Sequence, residues 1–151
     1  MPNNKDSAAQ LAWERGCSIE ITSDILWKLD VYRAALFLLH LAKSDVRSAT
    51  RGVHRSDVAA QLISAAGSIA ANIGEGYSRS TRADRLRFFG YALGSTRECI
   101  AWYLTASDTL ESLDTIDARL VLLSRIRALL LGLIRSHRTP RSRNDRIRFE
   151  P

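Results

Sequence analysis

Apolar residues recur along this chain at intervals of three and four, and almost nowhere at intervals of two. From Asp24, a residue suited to an N-cap, Ile25, Leu29, Tyr32, Leu36 and Leu39 fall on one helical face. Leu26, Ala35, Leu38 and Ala42 widen that face, and Lys28, Arg33, His40 and Ser44 form a narrow polar line opposite it. Arg47 to Arg55, with Gly52, reads as a loop. A second helix starts near Ser56 and is crowded with small residues (Ala59, Ala60, Ala65, Ala66, Gly67, Ser68, Ala70 and Ala71) that let another backbone come close. It is expected to stop at Gly74 or Gly76, since glycine commonly ends helices. A third helix begins near Ser80 or Thr81, where Thr81 and Asp84 have the spacing of a capping box. It carries Leu86, Phe89, Leu93 and Ile100 on one face, with Phe88, Ala92, Cys99 and Trp102 beside them, and runs to about Thr109. Gly90 and Gly94, four apart, offer a second close-approach face. A fourth helix runs from about Asp114 to Ser136, with Leu120, Leu123, Leu130 and Ile134 flanked by Leu122, Ile126, Leu129 and Leu133. Val121 and Leu131 lie outside that stripe.

The pattern predicts an all-α chain: four helices of roughly 17–30 residues with short connections, an antiparallel four-helix bundle. The prolines agree, because Pro2, Pro140 and Pro151 leave the whole interior free of helix breakers. Only Ile19 and Ile21 alternate with polar neighbours, too few for a strand. The organisation read from the chain is a polar leader over residues 1–23, with a short helix around Ala8 to Arg15, a bundle over 24–137 and a basic tail over 138–151. The helices carry more apolar surface than a lone bundle of this size needs, which predicts a homo-oligomeric ring.

Composition removes several function classes. The longest unbroken apolar run, Ala34 to Leu39, is six residues, well short of a membrane span, and Met1 to Gln10 has no signal-peptide core. A cytoplasmic protein is expected. Cys17 and Cys99 cannot build a disulfide framework, and no Cys/His spacing suits a metal. His40, His54 and His137 sit in separate segments, and no nucleophile elbow, zinc-protease or phosphate-loop signature occurs, so neither an enzyme nor a cofactor is expected.

Charge changes the picture more than composition does. Of 22 Lys and Arg only Lys5, Lys28 and Lys43 are lysine, and the formal net charge is +6. The tail holds Arg138, Arg141, Arg143, Arg146 and Arg148 against Asp145 and Glu150, half of the net charge in 14 residues. A segment this polar does not fold alone and reads as a basic arm, or as a frayed terminus kept for solubility. The turn YSRSTRADRLR places Arg79, Arg82, Arg85 and Arg87 against Asp84, with Tyr77 beside them. Cations in the first turns of a helix oppose its dipole, at about 0.3–1 kcal/mol each, and a phosphate would relieve the conflict. The arginines then position phosphates while Tyr77 stacks on a base; alternatively they pair with Asp or Glu of a neighbouring subunit.

Residues 63–98, ISAAGSIAANIGEGYSRSTRADRLRFFGYALGSTRE, resemble the four-helix-bundle family named for the intervening sequence of bacterial 23S rRNA. The shared pattern is Ser68, Ile69, Asn72, Ile73, Glu75 and Gly76, then Ser80, Arg87, Phe88, Ala92, Gly94, Ser95 and Glu98, with Trp27 where the family has a tryptophan. The resemblance implies ring-shaped homopentamers without established enzymatic activity. It also implies a fold similar to the accessory protein of diversity-generating retroelements, a basic pentamer that partners a reverse transcriptase and its RNA. The Arg-rich tail departs from the family pattern and leans the expectation toward nucleic acid, RNA before DNA.

The polar members of the motif, Ser68, Asn72, Glu75, Ser95 and Glu98, have two readings. Two facing carboxylates can do acid–base work. The structural reading is preferred: Glu75 or Glu98 accepts hydrogen bonds from loop N–H groups and, with Asn72, pins the turn over 72–80. Gly76 and Gly94 belong to the same structural set. Two functions of different class follow: an accessory RNA-binding bundle, or a protein-interaction scaffold whose arginines serve subunit pairing.

Overall fold

The computed structural model describes residues 4–48, 55–106 and 113–138. Among these residues six α-helices follow one another: α1 Asn4–Arg15, α2 Ile19–Thr22, α3 Asp30–Ser48, α4 Arg55–Ser78, α5 Arg82–Thr105 and α6 Leu113–Arg138. A 3-10 turn, Ile25–Lys28, links α2 to α3, and there is no strand among the described residues. The protein is a helical bundle whose core is built by α3, α4, α5 and α6. The loop expected over 47–55 lies largely outside the described residues; Arg47, Ser48 and Arg55 are helical.

The first long helix starts later than its polar–apolar pattern suggests. Asp24 is an N-cap, but of the 3-10 turn: its Oδ1 accepts the Leu26 N–H at 2.7 Å. Leu29 is then extended, φ −87° and ψ 113°, and α3 begins at Asp30. The buried face of α3 is offset from the expected stripe, whose Tyr32, Leu36 and Leu39 are only partly buried. Val31, Ala34, Ala35, Phe37, Leu38 and Ala42 are buried, while Ile25 is exposed. The Asn4–Arg15 helix is longer than the expected Ala8–Arg15 and packs on α3. Trp13 sits 5.5 Å from the Phe37 ring and 6.2 Å from Trp27. Glu14 accepts from Arg33 Nε at 3.2 Å, and buried Gln10 accepts from Arg125 of α6 at 2.9 Å. Some of the apolar surplus on α3 is thus covered by the chain's own leader.

The small residues of α4 do what small residues permit. Leu62, Ala65, Ala66, Ile69, Ala70 and Ile73 bury one face against α5, and this pairing is the most extensive in the molecule. From α5 come Phe89, Ala92, Leu93, Thr96, Cys99 and Tyr103; from α6 come Leu122, Leu123, Ile126, Leu130 and Ile134. Val121 and Leu131 stay exposed, as the stripe on α6 requires. Helix α5 ends at Thr105 with Ala106 as its cap, short of the expected Thr109, which lies outside the described residues.

At one end of the bundle the last turns of α3 and α5 meet the start of α6 around a single carboxylate. Asp45, 6% exposed, accepts the Tyr103 hydroxyl at 2.8 Å and a two-pronged contact from Arg119, Nε at 2.8 Å and NH2 at 2.9 Å. A buried carboxylate is tolerable only when its lone pairs are occupied. Burial, and then the Asp45 charge, raise the Tyr103 phenol, so it stays a donor. Burial, with the Glu98 carboxylate adding to it, pushes the neighbouring Cys99 thiol up to about 12.

Replacing Asp45 with alanine leaves a largely buried guanidinium without this partner and is expected to cost about 3–5 kcal/mol. Tyr103→Phe removes one hydrogen bond and leaves the ion pair, so about 1.5–3 kcal/mol is expected. Urea midpoints for the two variants test that order.

Candidate nucleic-acid interface

The opposite end is formed by the α4–α5 turn and the C-terminus of α6. Thr81 caps α5: its Oγ1 accepts the Asp84 N–H at 3.1 Å and donates to the Asp84 carboxylate at 2.7 Å, the expected capping box. Helix α4 does not stop at either glycine but continues to Ser78, and no glycine among the described residues has a positive φ. Gly76 is there for another reason. A Cβ on it would lie 2.8 and 2.9 Å from two atoms of the buried Phe89 ring and 3.1 Å from the Phe88 Cβ. Phe89 in turn meets His137 of α6 edge to face at 5.3 Å.

That seating fixes the four turn arginines. Arg79, just past α4, pairs with Glu75 and stands 4.9 Å from the Phe88 ring centre. Arg87 pairs with Asp84 at 3.1 Å and stands 5.4 Å from the same ring. Arg85 Nε donates to the Arg79 carbonyl at 2.6 Å. Arg82 Nε donates to the His137 carbonyl, so the turn is tied to the last residues of α6. Arg138 closes α6 beside that carbonyl, whereas Arg141, Arg143, Arg146 and Arg148 lie outside the described residues. The structure therefore brings Arg79, Arg82, Arg85, Arg87 and Arg138 to one end.

The conflict expected between these cations and the α5 dipole is relieved within the chain. Arg82 and Arg85 reach the carbonyl-rich ends of α6 and α4, where positive charge is favoured. Among the described residues each uses one donor, at Nε, out of the five a guanidinium offers. The acidic partners of Arg79 and Arg87, Glu75 and Asp84, belong to the same chain.

The polar motif is arranged differently from expectation. Glu75 is exposed and meets Arg79, not loop N–H groups, among the described residues. Glu98 is also exposed and accepts the Trp102 indole N–H at 3.3 Å. Both carboxylates pair with a residue four positions on; the turn is held instead by Arg85 and by the Thr81 cap, and Glu98 lies about four helical turns along α5 from it, out of reach. Asn72 donates to the Ser68 carbonyl at 2.8 Å inside α4 and does not reach the turn. Ser95 is half-buried on α5, and Gly94, like Gly90, is exposed with nothing within 4 Å of an added Cβ. Tyr77 is 37% exposed at the end of α4. An aromatic pair was not singled out in the sequence: Phe88 and Tyr91, edge to face at 5.7 Å. Their i, i+3 spacing beside Arg87 was the available signal. No group of three or more His, Cys, Asp or Glu suited to a metal occurs among the described residues.

The family model described as 23S rRNA-intervening sequence protein matches residues 28–129. The chain belongs to that family. The matched span runs from the 3-10 turn into α6 and contains the whole arginine turn, while α1 and the end of α6 lie outside it. Among solved structures, the chain is similar to a crystal structure from Bacteroides thetaiotaomicron, described as a protein with unknown function from the S23 ribosomal protein family. That likeness has a TM-score of 0.61 at 21% identity and covers 70% of this chain and 95% of the other, so it speaks for the fold. No curated protein is similar enough to match. No described helix is long and apolar enough to cross a membrane.

Gly76→Ala is expected to displace Phe89 and destabilise the fold by about 1–3 kcal/mol, the usual cost of overpacking. Gly90→Ala, in open space on the same helix pair, is expected to be neutral or to stabilise by up to about 1 kcal/mol. Thermal melts of the two variants distinguish a glycine required by packing from one in open space.

Proposed function

We propose that this family member is a non-enzymatic, basic, cytoplasmic bundle that binds nucleic acid, RNA in preference to DNA. It would serve as an accessory subunit to a nucleic-acid enzyme such as a retroelement reverse transcriptase. The observation that carries this reading is the hydrogen bond from Arg82 to the His137 carbonyl. It ties the arginine turn to the end of α6, after which the basic tail follows in sequence, and this supports a reading in which the two patches would act together. With Nε held by a carbonyl, the terminal nitrogens of Arg82 and Arg85 are pre-positioned donors for phosphate oxygens. The turn would position phosphates, and the tail would add affinity with little sequence preference.

The assembly belongs to the same proposal: an antiparallel four-helix bundle repeated in a homo-oligomeric ring, a pentamer. Support comes from α6, whose exposed Val121, Ala128, Leu131 and Gly132 share a face that no element of this chain covers among the described residues. A ring repeats the basic end in every subunit, so weak contacts multiply through local concentration. A second reading, a protein-interaction scaffold without nucleic acid, is favoured by the in-chain pairing of Arg79 with Glu75 and Arg87 with Asp84.

Gel shifts over a salt series separate the two. Arg79→Glu, Arg82→Glu and Arg85→Glu together are expected to abolish RNA binding, and the same three positions as lysine to retain it. Deleting residues 138–151 removes five arginines. The deletion is expected to weaken binding and lower the salt slope by up to about 3.5, at ~0.7 per phosphate contact on a single strand. Retained binding by both the reversed and the shortened chains, at unchanged melting temperature, would replace this reading with the scaffold. For the assembly, light scattering at micromolar concentration is expected to give an oligomer mass, and Leu131→Glu to lower it. A monomer mass for the parent chain overturns the ring.

A further inference from the structure

The basic end also carries an aromatic pair with no assigned role. Phe88 and Tyr91 stand one turn apart on α5, with ring centres 5.7 Å apart and planes at 85°. Phe88 is half-buried beneath the guanidiniums of Arg79 and Arg87. Tyr91 is 53% exposed, and among the described residues it makes no hydrogen bond and no ring contact besides Phe88. An exposed tyrosine is ordinary by itself. What sets this one apart is its setting. Its ring is braced edge to face by a second ring, which limits the freedom it would lose on binding. Arg79 and Arg87 flank that second ring, and the turn holds four arginines against Glu75 and Asp84.

The chemistry complementary to this surface is a polyanion with flat apolar faces between its charges. A nucleic-acid strand with unpaired bases has both. A duplex offers the charge but keeps its base faces stacked inside the helix, out of reach of a side chain on a convex helix surface. We propose that Tyr91, backed by Phe88, is a base-stacking platform, and that the chain binds RNA through single-stranded nucleotides. This inference rests on the nucleic-acid reading of the same end and deepens it by naming the form of the ligand.

The test uses the full chain with a fluorescent, unstructured 20-nucleotide RNA and a blunt RNA duplex of the same length, at low salt. The parent is expected to prefer the single strand. Tyr91→Ala is expected to lose about tenfold in affinity for it, the scale of one lost base stack, while duplex binding changes less than about twofold. Tyr91→Trp keeps a ring and is expected to bind as the parent does. The salt slope of Tyr91→Ala is expected to match the parent, because no phosphate contact is removed. Melting and light scattering of Tyr91→Ala are expected to be unchanged, as its exposure implies. Parent binding to RNA with no loss in Tyr91→Ala overturns the stacking platform and leaves the nucleic-acid reading standing. A lower oligomer mass in Tyr91→Ala assigns the ring to a subunit contact and also overturns it. A parent chain that binds neither RNA at low salt overturns the nucleic-acid reading itself, and this inference with it.

Discussion

A missing Cβ at Gly76 governs the geometry of the basic end. Two helices can bring a phenylalanine ring against a backbone only where that backbone has no side chain. Here the ring atoms of Phe89 lie within 2.9 Å of where a Cβ would be. Phe89 is fully buried and meets His137 edge to face, so one ring fills the space between α4, α5 and the end of α6. Everything on the outer surface follows from that seating. Phe88, the preceding residue, is delivered beside Arg79, and the α6 terminus comes within reach of Arg82. A larger residue at position 76 would separate α4 from α5 and loosen the whole cluster.

The two ends of the bundle handle charge in opposite ways. At one end, Asp45 is buried and its acceptor capacity is taken by Tyr103 and Arg119 from two other helices. Neutralised charge there acts as a lock among α3, α5 and α6, and its directional bonds favour one helix register over alternatives of similar apolar packing. At the other end, cations outnumber anions and remain at the surface. Their repulsion is offset by three different partners: carboxylates, an aromatic face and helix-terminal carbonyls. The carbonyls matter most for mechanism, since they orient guanidiniums without neutralising them. A polyanion arriving there meets donors already held in place.

Much of the fold was legible because periodicity survives without an alignment. Long apolar faces spaced at three and four define α4, α5 and α6, and the absence of interior proline lets them run. The capping box at Thr81 and Asp84 was read correctly because capping is local chemistry. Three features were not legible. The break at Leu29 depends on a cap at Asp24 that suits a 3-10 turn as well as an α-helix. Gly74 and Gly76 look the same in sequence whether they stop a helix or admit a ring, and only Phe89, 13 residues further on, decides it. The partners of Arg82 and Arg85 are carbonyl oxygens, which every residue has and no pattern marks. For the same reason the charge–dipole conflict read from the turn overstated the need for an external anion.

The family match and the basic end divide the molecule unevenly, and the division bears on what is general and what is particular to this chain. Residues 28–129 include Gly76, Phe88, Phe89, Tyr91 and all four turn arginines, so the scaffold and its aromatic surface lie within the family frame. Arg135, His137, Arg138 and the tail lie beyond it, as does α1 with its links to Arg33 and Arg125. Arg82 is the hinge between the two parts, because its side chain is on the family portion and its acceptor is not. Half of the net positive charge of this chain lies in residues 138–151, outside the family match, whereas Phe88 and Tyr91 lie inside it. On the proposed nucleic-acid reading, strand form would be set by the matched portion, through stacking, and strength at a given salt by the extension, through phosphate neutralisation. On that reading the two properties would be separable by mutation within this chain, since they would reside on different segments joined at one carbonyl.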